Sequence, residues 1–343
     1  MNLKLSLFCF FCFSIFSYSQ VISGKVVDEK NNPLQGANIY FEGTSIGTIS
    51  DQKGEFTLQI NTKINSILLV SFMGFQTLYI PNYETLKDFK IILKPTNNHL
   101  REVVIMKDRF SRKQKLKLFR EQFLGKTKLG KNAIIENETE LYFEYNEKTN
   151  TFKAFSDKPL LIINKALGYK IYYELADFEV NFTKTSISSS DVYKNKYSGY
   201  SRFEEIETTP KIINQRNECY EGSSLQFFRN LVNNVWDKDN FLLFVGMFVD
   251  NPTNHFNIID EGNQKKVVVT KQKKSLVGKK FVAEFNLLYK KKDQSKIIFE
   301  TDTFYVDIFG NNSNINDIYF SGHITQFKVG NMLPLNFIET KTP

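Results

Sequence analysis

From Val21 to Lys94 the chain alternates apolar and polar residues in short runs, and turn sequences cut those runs apart. Phe56, Leu58 and Ile60 interleave with Thr57 and Gln59. Leu68-Val70-Phe72 and Phe89-Ile91-Leu93 keep the same period of two. That period sends alternate side chains to opposite faces, so each run predicts a half-buried strand. Asn31-Asn32-Pro33 and Asp51-Gln52-Lys53-Gly54 supply the turns between runs. Asn and Asp side chains bond nearby backbone, Pro presets φ, and Gly accepts positive φ. Gly36, Gly43 and Gly54 stand where the chain must turn. About seven strands fit into roughly 75 residues, which predicts a small antiparallel sandwich. Asp51 is expected to bond backbone in its hairpin, because Asp51 and Glu55 alone give too few oxygens for calcium.

The same stretch carries a resemblance. Gly24-Lys25-Val26-Val27-Asp28, Pro33-Leu34-Gln35-Gly36-Ala37-Asn38-Ile39, Gly43-Thr44, Gly47-Thr48, Ser50-Asp51-Gln52-Lys53-Gly54-Glu55-Phe56 and Ser71-Phe72-Met73-Gly74-Phe75 follow one another in order. Residues 21–94 thereby resemble the carboxypeptidase regulatory-like domain found in envelope proteins of Bacteroidetes-type bacteria. The resemblance implies a transthyretin-like (prealbumin-like) β-sandwich and no peptidase activity. Leu100-Arg101-Glu102-Val103-Val104-Ile105 resembles the segment linking this small domain to the plug in TonB-dependent outer-membrane receptors. About 240 residues follow, too few for a large barrel of strands of about ten residues each. The expectation is a protein like the receptors' N-terminal extension, without the receptor.

The first residues predict export. Lys4 precedes an apolar run from Leu5 to Phe16, and Ser17-Tyr18-Ser19 offers small residues for cleavage after Ser19. This is the pattern of a signal peptide, and the run is shorter than the roughly 20 residues that cross a bilayer. Cys9 and Cys12 would leave with it, so Cys219 stays alone, expected buried and inert. No later stretch is long enough to span a membrane. The formal charge is +8, concentrated in two places. Arg101–Lys131 holds eleven basic and three acidic residues, and Lys265–Lys296 eleven and two. Such clusters either solvate a face or attract anionic polymers and headgroups. Nucleic acid is not an expected partner, because no recognition motif for it occurs.

Beyond a linker at 96–112, residues 113–343 are expected to form one larger α+β, β-rich domain. Residues 111–129 read as a basic helix with Leu116, Phe119 and Phe123 as its apolar stripe. Tyr169, Ile171, Tyr173 and Leu175 alternate with Lys170, Tyr172 and Glu174 as a long strand. Thr209 as N-cap and Pro210 as first residue start a second helix, expected to reach about Val235. Its buried stripe is Ile213, Tyr220, Phe227, Leu231 and Val235, and Gly222-Ser223-Ser224 interrupts it with small residues. Something should approach closely there, since an interior Gly costs about 1 kcal/mol relative to Ala. Phe281 to Tyr289 and Phe304-Val306-Ile308 read as strands. Phe123-Leu124-Gly125, residues 159–173, Ser198–Phe203, Arg216–Ser223, Phe320-Ser321-Gly322 and Met332–Leu335 resemble the region behind the same sandwich in many exported proteins. That region has no established activity. Its pattern has His four residues after the Gly, where this chain has Gln226.

No catalytic constellation is legible. His99, His255 and His323 lack ligand spacing, no G-x-S-x-G elbow occurs, and Cys219 has no neighbouring His. No metal or cofactor is expected. The candidate binding face consists of Tyr169, Tyr172 and Tyr200, whose rings could stack on sugars, with Gly222 and Ser223 as a groove. Lys273, Lys274, Lys279 and Lys280 are its anionic-ligand contacts. The fold expected is mainly β with some α: residues 1–19 a signal peptide, 20–95 the sandwich, 113–343 the larger domain. The function expected is a non-enzymatic interaction or accessory protein of the periplasm or outer membrane. Its partner would be an envelope protein or an anionic envelope polymer. The alternatives are a carbohydrate-binding protein and a hydrolase with an unrecognised site.

Overall fold

The structure is a computed structural model that describes residues 20–60, 64, 66–83, 89–96, 109–272, 281–314 and 316–340. The expected leader at 1–19, His99, and Lys273, Lys274, Lys279 and Lys280 lie outside the described residues.

The first unit is the expected sandwich. Its strands are β1 (Gln20–Asp28), β2 (Asn38–Phe41), β3 (Gly47–Ile49), β4 (Glu55–Ile60), β5 (Leu68–Ser71), β6 (Leu78–Ile80) and β7 (Phe89–Leu93). They form two sheets, in the orders β4-β1-β7 and β3-β2-β5-β6. All pairs are antiparallel except β1 with β7, which runs parallel. The alternation in β4 is realised: Phe56, Leu58 and Ile60 are buried while Glu55, Thr57 and Gln59 are exposed. They meet Val26, Ile39, Phe41, Val70 and Ile91 in one apolar core. Asp51 Oδ1 accepts from the N–H groups of Lys53 and Glu55 at 2.9 and 2.8 Å, so it is a turn residue as expected. Gly54 follows at φ +76°, where a Cβ would sit 2.4 Å from the Val26 carbonyl oxygen.

The second unit opens with α1 (Arg112–Phe123) and α2 (Lys128–Asn132). The single helix expected over 111–129 is therefore two. Ser111 and Gln114 form a capping box at the start, and Gly125, at φ +97°, stops the first helix. Phe119 and Phe123 are buried as expected, with Leu118, while Leu116 packs at the margin. Then come β8 (Ile134–Ile135), β9 (Leu141–Asn146), β10 (Thr151–Ser156), β11 (Leu160–Asn164), β12 (Tyr169–Phe182) and β13 (Val192–Glu205). β11 and β10 pair with successive halves of β12, and β13 pairs along its other edge.

The second long helix also divides. Thr209 caps α3 (Pro210–Tyr220) as expected, its hydroxyl accepting from the N–H of Ile212. The helix ends at Gly222, which adopts φ +71°. Ser223 then caps α4 (Ser224–Val232). Apolar spacing alone runs through this break, because the two helices bury neighbouring stripes. Ile212, not Ile213, is the buried residue in α3, and Val235 lies past the end of α4, exposed.

The remaining strands are β14 (Phe241–Val245), β15 (Phe248–Val249), β16 (Phe256–Asp260), β17 (Gln264–Val269), β18 (Ala283–Tyr289), β19 (Asp293–Phe299), β20 (Thr303–Asp307) and β21 (Ile318–Gly322). They make sheets β15-β14-β18-β19-β21 and β16-β17-β20. Ile308, read as part of the Phe304–Val306 alternation, falls outside β20 and is exposed. Phe227, Phe228 and Leu231 of α4 pack with Phe241, Phe256, Phe285, Phe299 and Phe304 in a third core. Val329, Leu333 and Phe337 return to the core of the second unit. The residues from 113 onward thus hold two buried clusters. Among the described residues no helix is long and apolar enough to cross a membrane.

Candidate interaction surfaces

β12 separates the residues that the sequence groups into one face. Tyr169 and Tyr173 point inward and are buried, whereas Tyr172 points outward. The Arg216 guanidinium lies 4.0 Å from the Tyr169 ring centroid. It is held there by the Leu167 and Glu207 carbonyls and the Glu205 carboxylate. Burial raises the Tyr169 hydroxyl above its ordinary pKa. Tyr169 is therefore a core residue. Tyr172 stacks under Arg202 at 3.9 Å, and its hydroxyl donates to Glu204. Tyr200 stacks on Tyr79 of the sandwich, with ring centroids 4.7 Å apart. Gly222 fits against the Tyr289 ring, where a Cβ would lie 3.0 Å from Cδ1. Ser223 is a buried cap. The close approach expected at Gly222 is real, and a strand residue makes it. Of the described candidates, Tyr172 and Tyr200 share the outer face of the sheet; Tyr169, Gly222 and Ser223 do not.

That outer face is where the sandwich docks. The turn after β2 inserts its backbone between two partners. The Gly43 N–H donates to the Ser201 carbonyl at 2.7 Å, and the Phe203 N–H to the Thr44 carbonyl at 3.0 Å. From the other side the Leu335 N–H donates to the Gly43 carbonyl at 2.7 Å. Asn336 adds side-chain bonds to Ser45. Gly43 has φ +72°, and a Cβ there would sit 2.7 Å from Leu335 Cδ1. Tyr79 and Thr77 donate to the two oxygens of Glu174 at 2.9 and 3.2 Å. β13 thus gains a short extra ladder from the sandwich, and polar side chains ring it.

Two carboxyls and one guanidinium meet at this junction. Burial pushes the Glu42 carboxyl up to about 7, against a main-chain bond from Ser201, and Asp307 adds a further rise. Burial pushes Asp307 up to about 6, although its Oδ1 accepts from Phe309 and Asn311. Arg229 donates to three carbonyls, those of Phe309, Phe337 and Leu335, at 2.9, 2.9 and 2.7 Å. Phe309 in turn packs on the sandwich core. Sequence reading missed this cluster. Its members lie far apart along the chain, and no local spacing marks them.

A cleft of about 430 Å³ opens on β9, β10 and β12, lined by Glu144, Asn146, Thr149, Thr151, Lys153 and Glu179. Lys153 pairs with Glu179 at 3.3 Å. Two register positions along the same strands, and on the same face, Tyr142 and Phe155 stack with centroids 5.9 Å apart. Cys219, His255 and His323 lie elsewhere. Burial pushes the Cys219 thiol up to about 11, and its sulfur accepts from Asn331. His255 bonds Asp250 at 3.0 Å and lies on Phe285. His323 lies against Phe327. Among the described residues no three His, Cys, Asp or Glu side chains are grouped for a metal. Gln226, at the position where His was expected by resemblance, accepts from the Gly222 N–H and so holds the α3–α4 bend.

The sandwich, held by a backbone ladder to a larger β-rich region, defines the class. Residues 22–105 match the sequence model of the CarboxypepD_reg-like domain. A relative can be named for part of the chain. It is 34% identical over 97 residues to the TonB-dependent receptor SusC of Bacteroides thetaiotaomicron. That match covers 28% of this chain and 9% of the receptor. The family match takes in Leu100–Ile105, the segment that resembles the receptors' link.

Proposed function

We propose that this protein is a non-enzymatic accessory protein of the cell envelope, in which the sandwich is presented to a partner protein in a fixed orientation. The observation that carries the reading is the junction. The Gly43–Thr44 backbone and Glu174 bind the sandwich to the second unit, and Phe309, whose carbonyl Arg229 holds, packs it against the third. A module on a free tether would not need such a joint. The similarity of part of this chain to part of a TonB-dependent receptor supports an envelope setting. The test is affinity capture from envelope extracts with the tagged full chain. One partner should be recovered reproducibly, and Gly43→Val, which blocks the junction, should reduce its yield several-fold. Recovery of the bait alone would overturn the reading.

A second reading has its own support. The outer-face cleft, with amide, hydroxyl and charged side chains beside the Tyr142–Phe155 pair, suits a sugar, whose faces stack on aromatic rings. Tyr142→Ala should then abolish a glycan-array signal that Tyr172→Ala leaves unchanged. Equal signals in both variants would remove this site.

A further inference from the structure

Lys328 is drawn partly out of water without being given a counter-charge. It stands just before the turn at Val329–Asn331, and its stem lies beside Gly125, where a Cβ would sit 3.4 Å from Lys328 Cβ. Its Nζ donates to two oxygens of Gln122, the main-chain carbonyl at 3.0 Å and the side-chain Oε1 at 3.1 Å. Both acceptors are neutral. The Asn195 side chain of β13 donates to the same two oxygens at 2.8 and 3.2 Å, and the Gln122 amide donates to Ser189 at 3.2 Å. The amine is therefore held in a fixed place.

No carboxylate answers it. Glu121, adjacent to Gln122 in the chain, accepts from Ser189 and pairs with Lys126 at 3.4 Å. On β13, Lys194 and Lys196 flank Asn195 and point to the other face of the sheet, where Lys196 pairs with Asp177 at 3.6 Å. Among the described residues Lys328 makes no ion pair. The carbonyl end of α1 favours a cation, but the Gln122 carbonyl carries only a partial charge and is shared with Asn195. Burial lowers the Lys328 amine to about 8, and the Lys126 charge adds to the fall. At pH 7.5 an ordinary lysine is almost wholly protonated and unreactive, whereas an amine near 8 is free in about a quarter of molecules.

We propose that Lys328 is an acylation site, whose amine takes an acyl group from an ester or thioester. The nitrogen lone pair bonds to the acyl carbon, the C–O or C–S bond breaks, and the amine proton leaves with the alcohol or thiol. The product is a neutral amide whose remaining N–H keeps a bond to Gln122, and the uncompensated charge is gone. No residue of the junction takes part, so the proposal stands apart from the protein-partner reading. The test treats the full chain at pH 7.5 with a limiting amount of the N-hydroxysuccinimide ester of acetic acid, and maps the lysines by peptide mass spectrometry. Lys328 should be acetylated about tenfold faster than the exposed Lys117 and Lys291, the gain in free amine being offset in part by its lower basicity. Gln122→Glu sets a carboxylate on the amine and should slow Lys328 at least about tenfold, with Lys117 unchanged. Lys126→Glu, at an exposed side chain, should slow it about threefold and decides the matter if Gln122→Glu melts early. Lys328 reacting no faster than Lys117 would overturn the proposal. So would a lead that survives both added carboxylates in folded protein.

Discussion

Gly43 concentrates the demands of the whole molecule on one residue. Its φ of +72° and the 2.7 Å approach of a Cβ to Leu335 exclude any side chain without movement of backbone or tail. Gly43→Ala should destabilise the fold by about 1–3 kcal/mol, read from urea denaturation. Arg229 is the other such residue. Replacing it with Met keeps most of the bulk but orphans the Phe309, Leu335 and Phe337 carbonyls. The expected loss is about 2–4 kcal/mol in the same assay. Cys219 makes a chemical prediction: with its thiol pushed to about 11, native protein should react slowly with Ellman's reagent at neutral pH and rapidly in denaturant. Residues whose roles are local were legible in the sequence. Asp51 and Thr209 each act within four positions of themselves, and the turn and cap chemistry of their residue types announces it. Glu42 and Arg229 act across units, and nothing adjacent in the chain marks them; Asp307 holds its own turn as Asp51 does, and only its effect on Glu42 is hidden.

At the scale of elements, the period of two was the more faithful guide. β4, β12 and β18 bury the alternation that their sequences display. The period of 3.6 misled where one stripe continued into another. The apolar spacing from Ile213 to Leu231 passes through a bend that only Gly222 and Ser223 reveal. The ring packed against that Gly belongs to Tyr289, a residue of β18 nearly 70 positions on. Ser223→Ala should cost about 1 kcal/mol, since the hydroxyl both caps α4 and donates to the Tyr220 carbonyl. Thermal denaturation followed by circular dichroism will show whether the loss has that size. Strand pairing was not legible either. The parallel pairing of β7 with β1 is a choice of neighbour, and a single strand's sequence is compatible with either direction.

For the whole molecule, the three cores share one seam, and its ionisation ties stability to pH. Glu42 rises from an ordinary value of 4.5 to about 7 and Asp307 from 3.8 to about 6. The folded state therefore holds protons that the unfolded chain releases. This stabilisation is complete below about pH 4 and is lost as pH rises through about 7. The urea midpoint should fall between pH 5 and 8, by on the order of 3 kcal/mol in stability. Glu42→Gln should flatten that fall; an equally steep profile in the variant would show that other groups set it. The division of the residues beyond 113 into two cores was hidden for a related reason. Val329, Leu333 and Phe337 rejoin the second unit after the third is built, and composition does not record such a return.

The bond from Asn336 to Ser45 joins positions 291 apart, and the Leu335–Gly43 ladder closes beside it. A growing polypeptide cannot make either until position 336 has been translated. Until then the sandwich has an unclaimed edge, open to proteases or to a chaperone. Released chains truncated before position 335 should be cut by protease far faster than the full chain.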